Sequence, residues 1–83
     1  MNNKKVLNNI SIILKPSEYD DLANLMTNLV RWLQRRKKRV ILLEKEEERL
    51  KAVLTPKTLS LIEFKDDKFV FKSSDLIISL GGD

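Results

Sequence analysis

Cysteine and histidine are both absent from this chain, and their absence closes off a large part of protein chemistry. Without cysteine there is no disulfide framework, no thiolate zinc or iron–sulfur site and no thiol nucleophile. Without histidine, neither a Ser-His couple nor imidazole metal ligation can be built. Carboxylates, hydroxyls, amines and the backbone are what remain for chemistry. Glycine is scarce as well: Gly81 and Gly82 are the only two, so no flexible linker divides the chain, and no repeat or low-complexity tract is visible. Long apolar runs are also missing. Met1, Asn2, Asn3, Lys4 and Lys5 lead into a short apolar stretch that Lys15 and Pro16 interrupt before it attains signal-peptide or transmembrane form. The expectation is a cytoplasmic location and no membrane partner.

What is present fits one small domain. A chain of 83 residues buries roughly 60 to 65% of the surface it exposes when unfolded, which excludes a large self-contained enzyme. Lys and Arg number 16 against 12 Asp and Glu, a net charge of +4, and 42% of residues are apolar with 34% charged. That balance belongs to a folded globular chain, not a disordered one.

Three segments set the organisation: Ile10 to Leu14, Val40 to Leu43, and Leu76 to Leu80. Each is short, rich in Ile, Val and Leu, and nearly continuously apolar instead of alternating. Such runs suit strands covered on both faces, as in parallel sheets. Between the first two, Leu22, Leu25, Met26, Leu29, Val30 and Leu33 recur at helical spacing and predict an amphipathic helix from about Ser17 to Arg36. Ser17 with Asp20 approaches a capping box, and Glu18, Asp20 and Asp21 place negative charge at the positive end of the dipole. Arg35, Arg36, Lys37 and Lys38 complement the other end, although no glycine supplies a left-handed stop. A second helix is expected from about Lys45 to Leu54, with Leu50, Val53 and Leu54 on its apolar face and Thr55-Pro56 ending it. From Leu59 to Lys72 the pattern is mixed and reads as a hairpin or as two short extended pieces about a turn.

Strand, helix, strand, helix, strand with long crossovers is the arrangement that parallel strands need. The fold class expected is therefore α/β: an incomplete doubly wound, Rossmann-like three-layer domain of three parallel strands and two main helices, in the order 2-1-3. One helix is about 10 Å wide and strands lie about 4.8 Å apart, so one helix per face shields roughly two strands. Three strands would be under-covered, which points to missing strands, helices or partner chains and to self-association as a homo-oligomer.

In an open parallel sheet, ligands bind beyond the carboxyl ends of the strands where strand order reverses. Into that crevice the first strand would deliver Lys15 and Pro16, and the third would deliver Gly81, Gly82 and Asp83. Paired glycines let a phosphate approach the backbone with no Cβ in the way. The same three residues also read simply as a turn.

The segment Ser74 to Asp83 resembles the strand leading into the Gly-Gly-Asp-Gly-Thr motif of the NAD kinases, and Ile10 to Pro16 resembles their first strand with its Lys-Pro end. The resemblance runs through nearly all of this chain, which would correspond to the N-terminal α/β nucleotide-binding subdomain, residues 1–83, of a larger enzyme. It implies transfer of a phosphoryl group from ATP or polyphosphate, with Mg2+, to the 2′-hydroxyl of the adenosine ribose of NAD, giving NADP. It assigns Asp83 as the catalytic carboxylate, with Gly81, Gly82 and Asp83 contacting substrate. A positioned carboxylate within about 3 Å can orient a ribose hydroxyl and take its proton as the bond forms. The motif's following Gly and Thr, the later Asn-Glu-x-Asp segment and the all-β C-terminal domain are not in these 83 residues, so the chain by itself is expected to be inactive and to bind no cofactor tightly.

Diacylglycerol kinases and phosphofructokinases carry related Gly-Gly-Asp-Gly loops, so the tripeptide alone does not choose among phosphotransferases. A small non-enzymatic α/β module that binds a partner through an uncovered sheet edge is the competing class. Arg31, Arg35, Arg36, Lys37, Lys38 and Arg39 contribute six cations with no acid, leaving the rest of the chain at −2. With only Trp32 interleaved, this reads as a solvated helix end ahead of a nucleic-acid surface. Tyr19 and Trp32 read as packing or rim residues. The acids Glu44, Glu46, Glu47 and Glu48 read as a solvated helix start, since their spacing makes no calcium loop.

Overall fold

A computed structural model describes residues 7–15 and 21–80. Its core is a four-stranded, all-parallel sheet in the order β3-β2-β1-β4, formed by β1 (Asn9–Leu14), β2 (Arg39–Leu43), β3 (Ile62–Lys65) and β4 (Leu76–Leu80). The three apolar runs are β1, β2 and β4, and they neighbour one another as 2-1-3. The expectation of three strands is corrected by β3, which adds a fourth at the far edge beside β2.

Helix α1 (Leu22–Arg35) joins β1 to β2. Leu22, Met26, Val30 and Leu33 are buried along one stripe, whereas Leu25 is exposed, so the inward stripe is narrower than the spacing suggested. The expected helical start at Ser17, with Glu18, Tyr19 and Asp20, lies outside the described residues. Asp21 precedes the helix without capping its main chain; its carboxylate accepts instead from the Asn24 side chain at 3.0 Å and 3.2 Å. At the other end Lys37 takes a left-handed φ of 60°. Its amide donates to the Gln34 carbonyl at 2.9 Å and that of Lys38 to the Leu33 carbonyl at 3.1 Å, the paired closure that glycine usually serves.

The expected 45–54 helix is shorter: a 3-10 turn at Glu44–Glu46 runs into α2 (Glu47–Lys51). Leu50 and Leu54 are buried but Val53 is exposed. Thr55-Pro56 does end this unit, and it also starts the next. The Thr55 hydroxyl accepts from the Thr58 amide at 3.2 Å, and Pro56 sits in the first turn of α3 (Pro56–Leu59), where a missing N–H costs nothing. The hairpin reading of 59–72 is corrected: β3 is followed at once by α4 (Asp67–Ser73). Asp66 forces that switch, because its carboxylate accepts from the Phe69 amide at 2.8 Å and so caps a helix where Phe69-Val70-Phe71 had the look of a strand.

Alternation along the strands builds two cores. On one face Ile10, Ile12, Val40, Leu42 and Ile62 pack with the α1 stripe and with Leu50 and Leu54. On the other, Ile41 and Leu43 pack with Val70 of α4, flanked by Ile13 and Phe69. The chain steps from β1 to β2 to β3 with its connections on the first face, then crosses back to β4 over the second. A constant crossover hand requires that change of face. Two main helices was thus too few, since helical cover comes from four pieces. No helix among the described residues is long and apolar enough to cross a membrane.

Candidate functional site

The carboxyl ends of β1 and β4 lie abreast. Their register runs from Ile10↔Leu76 to Leu14↔Leu80, and the Lys15 amide donates to the Leu80 carbonyl at 3.0 Å. Strand order reverses between these two strands, since β2 and β3 lie on one side of β1 and β4 on the other. A crevice for a ligand is expected at such a point. The structure thus brings together Lys15 and Leu80, the residues that precede the two candidate loops. Pro16, Gly81, Gly82 and Asp83 themselves lie outside the described residues.

The amino ends of the same two strands are locked by a polar clamp that the sequence reading did not anticipate. The Asp75 carboxylate accepts from the main-chain amides of Asn8 at 3.0 Å and Asn9 at 2.9 Å. In return, the Asp75 amide donates to the Asn9 carbonyl at 2.7 Å, and the Asn9 side chain donates to the Ser73 carbonyl at 3.0 Å. Ser11, fully buried in the middle of β1, shares a 2.5 Å hydroxyl contact with Ser74. An acid just before an apolar run was the available signal for this clamp. A slip of one residue would invert the faces of β4, so the clamp fixes which residue ends the strand and enters the crevice.

The same amino edge carries a second tie. Arg39 donates to the Glu63 carboxylate through Nε at 2.8 Å and Nη2 at 2.6 Å, and to Asn9 Oδ1 at 3.2 Å, so β1, β2 and β3 are bridged. The Arg39 hydrogen bonds hold the Glu63 carboxyl below its ordinary value, and the Glu63 hydrogen bond raises Arg39 in turn. Forked geometry of this kind is the strong form of an ion pair, though both side chains remain open to water.

The remaining cations do not gather at the crevice. Helix α1 runs antiparallel to the strands, so Arg31, Arg35, Arg36, Lys37 and Lys38 cluster toward the opposite edge of the sheet. Arg31 and Arg35 with Gln34 and Leu61 line an open hollow of about 450 Å³. Arg36 lies over the ring of Trp32, 3.9 Å from its centre, which makes Trp32 a rim residue. The acidic group also departs from its expected place. Glu46 is buried and meets Arg49 at 3.4 Å, while Glu47 and Glu48 reach Lys51 at 4.0 Å and 3.8 Å.

A smaller hollow of about 220 Å³ lies at the carboxyl ends of β2 and β3, lined by Leu43, Glu44, Lys45, Asp66 and Asp67. Asp66 is committed there to capping α4. No group of three acids, His or Cys among the described residues could hold a metal ion. Taken together, the described geometry provides a strand-end crevice with a fixed register and no preassembled catalytic cluster. No protein-family model, no curated protein and no solved structure matches this chain.

Proposed function

We propose that this chain is the N-terminal nucleotide-handling portion of a phosphotransferase of the NAD kinase type, built as a doubly wound, Rossmann-like sheet. The observation that supports the reading is the parallel pairing of β1 and β4 with their carboxyl ends abreast. That pairing delivers Gly81, Gly82 and Asp83 to the strand-order reversal, where α/β proteins take their ligands. Gly81 and Gly82 leave room for a phosphate against the backbone. Asp83 holds the ribose 2′-hydroxyl and receives its proton while the oxygen bonds to the terminal phosphorus of the donor and the bond to the leaving phosphate breaks.

Magnesium, when bound, neutralises charge on the donor phosphates, and a magnesium ion held mainly by those phosphates and water needs no dedicated protein cage. That suits a chain whose described residues form no cluster for a metal. A cytoplasmic location goes with the same reading.

The test has two steps. The isolated 83 residues should form no NADP from NAD and ATP; turnover at the rate of a complete enzyme would refute the assignment of missing machinery. In a protein that carries this chain followed by Gly-Thr and a later Asn-Glu-x-Asp segment, Asp83→Asn should lower kcat by about 10²–10⁴ with a much smaller change in KM for NAD. An unchanged kcat would remove Asp83 from the chemistry. The open edge of β4 favours a second reading, a binding module, and the occupant of that edge can be argued on its own.

A further inference from the structure

Strand β4 is the least covered element of the sheet. It pairs with β1 alone, so its outer edge meets no strand among the described residues. Its sequence, Leu-Ile-Ile-Ser-Leu, carries no charge, no proline and no bulge, the devices by which edge strands avoid pairing. Leu76 and Ile77 point to opposite faces and are 44% and 38% exposed, so both faces offer apolar surface beside the open ladder.

On the α1 face this edge borders an apolar groove of about 420 Å³, floored by Ile10, Leu33, Leu76 and Ile78 and walled by Trp32. Arg36 and Lys38 also line it. No acid pairs with either cation among the described residues. Asp75, the acid next to Leu76, has turned its carboxylate onto the amides of Asn8 and Asn9.

We infer that the β4 edge accepts an added strand from a separate protein, an extended segment with apolar side chains over the groove and acids at the end that lies beside Leu76. Main-chain bonds to the open edge supply affinity, alternate side chains enter the groove, and the acids meet Arg36 and Lys38. Charge argues against a second copy as the occupant. Pairing β4 with another β4 would bring two cation-lined grooves to one interface, with no acid of the described β4 edge to offset them.

The test uses the 83-residue chain, with Trp32, its only tryptophan, as the reporter inside the groove. The probe is the peptide Thr-Val-Thr-Val-Thr-Val-Asp-Glu, whose acids fall beside Leu76 in antiparallel addition, compared with the same peptide ending in Lys-Lys. The acidic probe should change Trp32 emission saturably, slow hydrogen exchange at β4 amides, and bind about tenfold more tightly than the lysine form. The difference should shrink at about 0.5 M salt. A chain carrying Arg36→Glu and Lys38→Glu should reverse the preference.

Equal binding of the two peptides, or binding of neither, overturns the inference on the unaltered chain whether or not the double variant folds. A single-stranded RNA oligonucleotide that shifts Trp32 as strongly would assign the surface to nucleic acid and overturn it as well. So would light scattering that shows a dimer abolished by Ile77→Lys. None of these readouts involves a nucleotide cofactor or phosphoryl transfer, so their failure leaves the kinase reading standing.

Discussion

At the scale of single residues, Lys37 is the position where sequence and backbone disagree. Its φ of 60° costs an L-residue roughly 1–2 kcal/mol, while glycine takes it freely. Glycine also loses more entropy on folding, so Lys37→Gly should stabilise the chain by a net of about 0.5–1 kcal/mol. A urea midpoint that moves down instead would show that the lysine side chain contributes more than the strain it brings. Asp75 behaves in the opposite sense. Asp75→Ala would leave the Asn8 and Asn9 amides without their acceptor and should cost about 1–3 kcal/mol, with the loss concentrated in the β1–β4 pairing.

Glu63 supplies the pH dependence. Its folded carboxyl titrates below the ordinary value because Arg39 hydrogen-bonds its charged form. A depressed acid adds stability that is present above the unfolded value, about 4.3, and lost as pH falls through the depressed one. Both side chains are substantially open to water, so the pair is worth less than about 1 kcal/mol after screening. Glu63→Gln should therefore lower the urea midpoint slightly at neutral pH, and the two proteins should converge in acid. A gap that persists below the carboxylate range would mean that packing, not charge, holds Glu63.

Elements were legible where one periodicity dominated. The β1, β2 and β4 runs and the α1 stripe follow from unbroken apolar patterns, and their burial bears this out. The 59–72 region was not legible, because Phe69-Val70-Phe71 has strand composition and its helix is decided by one side chain. Asp66 caps α4, and only Val70 of the three is fully buried. Asp66→Ala should therefore cost about 1 kcal/mol, with the loss felt on the α4 face of the sheet. Thr55-Pro56 misled in a related way: the same pair that stops one helix starts another. As for the candidate site, the meeting of β1 and β4 was readable from the apolar runs. The Asp75 clamp was not, because a main-chain partner leaves no mark in sequence.

For the whole molecule, cover is unequal. The first face carries α1 and α2, the second chiefly α4, and the sheet ends at β4 on one side and β3 on the other. Strands β1 and β2 are paired on both sides and hold residues of zero or near-zero exposure, Ile12, Ile41 and Leu42 among them. Opening them needs global unfolding, whereas β4 needs only to leave β1. Native-state hydrogen exchange on the isolated chain should therefore show the β1 and β2 amides protected to the full unfolding free energy. Those of β4 should exchange through a smaller opening, and Asp75→Ala should widen that gap by weakening the clamp alone. If β4 instead exchanged as slowly as β1, the sheet would open as one unit. The edge would then be a rigid wall of the crevice, held by more than its visible pairing with β1.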